Sequence, residues 1–264
     1  LTITRQPGDV NQSAGTALNV ATATNITASN VTLTNTNNTF GTSTAALTVN
    51  ASGNLTLATG GDLALGNLTA GNMAISANGN ITQGAGARLV DRGVSNFTGG
   101  GATTSLNLSN ANNNLTGAIS VSNFSNVAIN NNNTLNMGTV NVTGNVTLNS
   151  SIDIYLGNTT AGNLSAIALG NVTLINATIN SASSAAMNVN LTASATGSNA
   201  GNISIINGNI STNSGTVVLN ANTTLTGADA VRLDNATIAV TGNGSLNITG
   251  YATTGAGVNF VNIT

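Results

Sequence analysis

Apolar and polar residues alternate along most of this chain with a period of two. The recurring phrase is Asn, an apolar residue, Thr or Ser, and often a second apolar residue. It reads Asn30-Val31-Thr32-Leu33, Asn54-Leu55-Thr56-Leu57, Asn145-Val146-Thr147-Leu148 and Asn171-Val172-Thr173-Leu174. Such alternation predicts β-strands with one buried face and one wet face. Runs of about five residues recur every eight to twelve residues, separated by Gly, Asn and Ser. That spacing fits a sandwich, a barrel or a β-solenoid.

Internal repeats select among these architectures. Asp9-Val10-Asn11-Gln12-Ser13-Ala14-Gly15 resembles Asn80-Ile81-Thr82-Gln83-Gly84-Ala85-Gly86, 71 residues later. Leu33 through Phe40 resembles Leu108 through Leu115, 75 residues later. Leu65-Gly66 through Ser76 resembles Met137-Gly138 through Asn149 at a similar distance. A sandwich needs no self-similar sequence, whereas stacked coils do. A period of about 72 residues corresponds to three or four coils of roughly 18 to 24 residues. From Ser151 onward the copies loosen, although Leu156 through Asn163 still echoes Leu65 through Asn72. The chain therefore reads as all-β, a β-solenoid of about 12 to 13 coils. Residues 1–264 read as one continuous solenoid, regular over 1–150 and more irregular over 151–264. Stacked at about 4.8 Å per coil, it would make a rod of about 60 Å.

Composition agrees with a narrow stacked core. Of 264 residues 40% are hydrophobic, but only 4% are charged and 2% aromatic, far below the values usual for an enzyme. Like charges would stack on one another in every coil, which uniform repeats avoid. Asn tolerates left-handed backbone at corners and can bond its copy in the next coil. The runs Asn112, Asn113, Asn114 and Asn130, Asn131, Asn132 are the candidate ladders. Net charge is −2 and the only cations are Arg5, Arg88, Arg92 and Arg232, so no basic track for nucleic acid exists. Abundant β-branched residues and a mean hydropathy of +0.20 argue against disorder. No apolar run approaches the roughly 18 to 20 residues of a membrane-spanning helix. Four Phe and two Tyr cannot build the two aromatic girdles of a membrane barrel. The chain is thus expected not to span a membrane. Leu1 is not followed by a basic and apolar leader, so a processed product or a segment of something longer is expected.

The usual acid–base groups reduce to six Asp and two Tyr. Two clusters could be weighed as sites: Arg88, Asp91 and Arg92, and Asp229, Arg232 and Asp234. Both fall in apparent turns, where a solvated ion pair contributes under about 1 kcal/mol. No catalytic residue is assigned. Gly60-Gly61-Asp62 is a single fragment of the tandem calcium-binding nonapeptide, so no metal or cofactor is assigned either. The pattern Asn-x-Ser/Thr occurs about 28 times, more than twice what random placement gives. A half-buried strand with outward Asn and Thr generates it automatically. Asn25, Asn67, Asn96, Asn158 and Asn222 stand out as candidate exposed acceptors for N-linked sugar.

Three phrases carry a family resemblance: Gly79-Asn80-Ile81-Thr82-Gln83, Asn110 through Val121, and Asn141-Val142-Thr143-Gly144-Asn145-Val146-Thr147-Leu148. They resemble the stalk repeats of filamentous hemagglutinin-like exoproteins, closely over residues 9 to about 150 and more loosely beyond. The resemblance implies a right-handed parallel β-helix, secretion through a dedicated outer-membrane partner pore, and an extracellular role in adhesion and biofilm. The family's amino-terminal secretion domain is not identifiable here. Some such adhesins carry sugar on the Asn-x-Ser/Thr pattern. The expected function is a non-enzymatic β-helical stalk on a bacterial surface, with host or biofilm glycans as ligands. The alternatives are a subunit of a self-assembling filament or sheath, joined end to end, and a polysaccharide-active β-helix with an Asp-lined groove.

Overall fold

Inward residues of the alternating strands stack on their copies one coil away. In the computed structural model, which describes residues 1–40, 46–194 and 200–262, strands account for all regular structure and every strand pairing is parallel. The chain divides into two units, Leu1–Asn132 and Asn133–Thr264. Each is a parallel β-helix.

In the first unit one face is built from Thr2–Arg5, Thr24–Ala28, Leu47–Ala51, Leu63–Ala70, Ile81–Gln83, Ser105–Leu108 and Asn126–Asn131. The opposite face comprises Val10–Asn11, Val31–Leu33, Leu55–Thr59, Met73–Ala77, Ser95–Thr98 and Ala118–Phe124. Its register aligns Leu33, Leu57, Ile75, Phe97 and Val121 in one column. All five are at most 1% exposed, so each apolar residue of the recurring phrase packs on the one before it. Burial of such a side chain stabilises by about 1.5 to 3 kcal/mol. The stack is what makes a thin solenoid cohere.

The second unit places five strands on its first face: Asn145–Ser150, Asn163–Ala168, Val189–Thr192, Thr216–Thr223 and Ser245–Ala252. Among the described residues the first faces of the two units hold these five strands and the seven given above, in line with the expected 12 to 13 coils. The later coils here are longer than expected. Val172 pairs with Ile203, thirty-one residues on, whereas Leu47 pairs with Leu65, eighteen residues on. This unit also has a third row of strands, Thr159–Ala161, Thr178–Ser181, Asn209–Asn213 and Thr237–Thr241. Asn176, Asn207 and Asn235 turn the chain into three of these strands with φ of 51°, 49° and 47°. Left-handed backbone is costly for most side chains and tolerated by Asn.

The long repeat proves to be three and a half coils. Val10 aligns with Val31, Leu55 and Met73 in three coil steps on one face. Its sequence equivalent, Ile81, lies in the next strand on the opposite face, paired with Leu63 and Leu106. Leu33 and Leu108 are related in the same way. Repeated phrases therefore alternate between faces.

Candidate functional site

The polar residues of the recurring phrase sit at coil corners, and most of their chemistry is spent between coils. At one corner of the first unit, the backbone N–H and side-chain amide of Asn30 donate to Asp9 Oδ1 at 3.1 and 2.8 Å. The Asn54 N–H donates to Asn30 Oδ1 at 2.8 Å, and Asn72 Nδ2 to Asn54 Oδ1 at 2.8 Å. The Val94 N–H continues the column by donating to Asn72 Oδ1 at 2.8 Å. At the other corner the Asn80 N–H donates to Asp62 Oδ1 at 2.7 Å, and the Ser105 N–H to Asn80 Oδ1 at 2.9 Å. The second unit repeats the device through Asn145, Asn163 and Asn188, and through Asp153, Asn171 and Asn202. Its left-handed asparagines add a third column, with Asn207 Nδ2 on Asn176 Oδ1 at 3.1 Å and Asn235 Nδ2 on Asn207 Oδ1 at 2.8 Å.

Of the sequence candidates, Asn113, Asn130 and Asn131 also bond from one coil to another, outside these corner columns. Asn113 is buried and sits in a clamp with Gln83 and Leu89. Asn131 is also buried, accepting from the Leu115 N–H and donating to the Leu115 carbonyl, both at 2.9 Å. Asn130 donates to the Ser109 carbonyl from a half-buried position. Asn114 is half-buried, while Asn112 and Asn132 are exposed.

Each charged cluster straddles a strand end: Asp91, Arg232 and Asp234 lie in strands, whereas Arg88, Arg92 and Asp229 lie in the adjoining connections. Asp91 ends Leu89–Asp91 and is fully buried. Ser95 Oγ donates to its Oδ2 and the Thr116 N–H to its Oδ1, each at 2.6 Å. Arg88 and Arg92 flank it and are exposed. Asp91 thus holds the turn of the next coil. Arg232 and Asp234 lie in Val231–Asp234 on the outer surface, with Arg232 Nη2 2.7 Å from Asp234 Oδ2. That hydrogen bond leads the causes that hold the Asp234 carboxyl below its usual value, with Asn262 and the Arg232 charge adding to it against a smaller opposing effect of burial. Asp229 accepts the Ala256 N–H at 3.1 Å and Asn259 Nδ2 at 2.6 Å. Asp62 of the Gly-Gly-Asp fragment is a corner rung.

Among the candidate sugar acceptors, Asn25 and Asn96 are exposed in mid-strand. Asn67 and Asn158 are also exposed, but each accepts a backbone N–H from the next coil, of Arg88 at 2.8 Å and Thr178 at 2.9 Å. Asn222 is half-buried rather than exposed, and its Oδ1 is buried without a partner.

Residues 1–49 and 52–122 match a family described as repeats of unknown function (DUF5649). Both segments lie in the more regular first unit. No curated protein and no solved structure matches the chain. No helix of the described residues is long and apolar enough to cross a membrane.

Proposed function

We propose that this chain is an extracellular, non-enzymatic β-helical stalk segment of a filamentous hemagglutinin-like bacterial adhesin. The observation that supports the reading best is the corner column. Each coil offers a carboxylate or amide oxygen to the next coil, so coils can be added without a new design at each step. All six Asp accept hydrogen bonds of this structural kind or pair locally, as Asp234 does with Arg232 and Asn262. The reading carries with it export through an outer-membrane pore and glycans as ligands of the whole adhesin. An antibody against this chain tests it on intact and fractionated source cells. A surface-exposed or secreted polypeptide much longer than 25.8 kDa is expected. A purely intracellular antigen would overturn the proposal.

A further inference from the structure

The outer surface of the second unit carries two neighbouring rows in which Tyr, Arg and Ile stand among the outward Thr and Ser. On the strands Ile154–Leu156, Val172–Ile175, Ile203–Ile206 and Val231–Asp234, Tyr155 aligns with Thr173, Thr173 with Ser204, and Ser204 with Arg232. The neighbouring row aligns Ile175 with Ile206 and Ile206 with Asp234. The inward residues of the same strands are buried, so these rows point away from the core. Tyr155 is 45% and Ile175 48% exposed. One of the chain's two Tyr, one of its four Arg and two outward Ile thus share one small face. Arg232 pairs with Asp234 through Nη2, and its Nε is without a partner.

The order of these residues is self-complementary. We infer that this face is a weak homodimer contact in which two copies meet face to face with their coil directions opposed. A two-fold axis parallel to the strands, lying between Val172–Ile175 and Ile203–Ile206, brings each row onto itself in reverse. Tyr155 of one copy then meets Arg232 of the other, Thr173 meets Ser204, and Ile175 meets Ile206. The Tyr ring faces a guanidinium, a cation–π pair, and hydroxyl faces hydroxyl. Two pairs of Ile side chains leave water at the centre. Such isologous contacts are the commonest route to a dimer, and Tyr and Arg are the residues that most often dominate them.

Size sets the strength. Four strands at about 4.8 Å and four residues at about 3.3 Å span roughly 19 by 13 Å. That lies well below the roughly 800 Å² per partner of tight complexes. The dimer is therefore expected at high micromolar concentrations and not at nanomolar ones.

Sedimentation velocity of the full chain from about 10 μM to 1 mM tests this, with circular dichroism to confirm folding. The parent chain is expected to shift from monomer to dimer across the series. Ile206→Asp puts a carboxylate against the partner's Ile175 and is expected to weaken association at least tenfold. Tyr155→Ala, which leaves the core untouched, is expected to weaken it several-fold. Asn96→Asp, an outward change in the first unit, is expected to leave it unchanged. A parent chain that stays monomeric at 1 mM overturns the inference. So does an oligomer that persists unchanged in folded Ile206→Asp.

Discussion

Gln83 and Asn113 exchange hydrogen bonds in both directions across adjacent coils, Gln83 Nε2 to Asn113 Oδ1 at 2.6 Å and Asn113 Nδ2 to Gln83 Oε1 at 3.1 Å. Gln12 and Asn38 do the same at 2.6 and 3.0 Å. In each copy the buried Asn oxygen also takes a backbone N–H, of Leu89 or Leu18. The clamp is the physical content of the two clearest sequence repeats, since Gln12 and Gln83 belong to one and Asn38 and Asn113 to the other. Removing one partner leaves buried donors and acceptors unpaired, at about 1 to 3 kcal/mol each. Asn113→Ala is expected to lower stability by about 3 kcal/mol in urea unfolding. Gln12→Ala, at a half-buried site, is expected to cost less.

Asp91 interrupts an inward column, pairing with Ala70 on one side and Leu115 on the other. Its carboxylate satisfies Ser95 and Thr116, and Asp91→Ala strands both. A loss of about 2 to 4 kcal/mol is expected. Asp91→Asn keeps one acceptor and should lose less. The comparison of denaturation midpoints checks the order, and an Ala variant as stable as the parent would contradict the assignment of Asp91 as a coil-to-coil acceptor.

Gly117 tests how closely the corners approach. A Cβ there would run into the Gly93 carbonyl, whereas a Cβ at Gly61 would meet nothing within 4 Å. Gly117→Ala is expected to destabilise by about 1 to 3 kcal/mol through backbone displacement. Gly61→Ala is expected to be neutral within about 0.5 kcal/mol. Thermal melts of the two variants settle the contrast.

Stability should be nearly independent of pH over a wide range. The chain has no His, Glu, Lys or Cys, the side chains whose ordinary values fall nearest this range apart from Asp and Tyr. The Asp234 carboxyl is held low by Arg232, so its folded pKa lies below its unfolded one. The corresponding stabilisation is present above about pH 4 and fades as pH falls through the folded value. Melting temperatures should be flat from about pH 5 to 9 and drop in acid. Asp234→Asn should soften that acid-side drop.

Sugar attachment, proposed for a subset of the Asn-x-Ser/Thr positions, should avoid the corner rungs. Asn30 and Asn163 fit the pattern, but their Nδ2 atoms donate to Asp9 and Asn145. Asn25 and Asn96 are exposed and outside the rungs described above. Peptide mapping of native material is expected to find modification at the second pair and not the first. An intact mass equal to the bare polypeptide would remove the proposal.

How much was legible in the sequence follows from which interactions are local. Val31, Thr32 and Leu33 announce a half-buried strand because neighbouring side chains point to opposite faces. The repeats at Gln12 and Gln83 announced stacked coils because only copies can stack on copies. The third row of strands was not legible, since it depends on Asn176, Asn207 and Asn235 adopting left-handed backbone in alignment. Nor were the rungs. Asn113 and Asn54 look alike as letters, yet one is buried in a clamp and the other lies exposed in a corner column.

The sequence by itself determined the strand grammar, the inward residues and the existence of a long repeat, because a period of two and a narrow lumen constrain every position independently. Only the tertiary structure decided that the repeat spans three and a half coils and that Val10 and Ile81 therefore face opposite ways. It also decided that Tyr155 and Arg232 share one surface row. Those facts depend on coil length, and coil length is set in the corners and loops, where insertions cost little and the alternating pattern carries no signal.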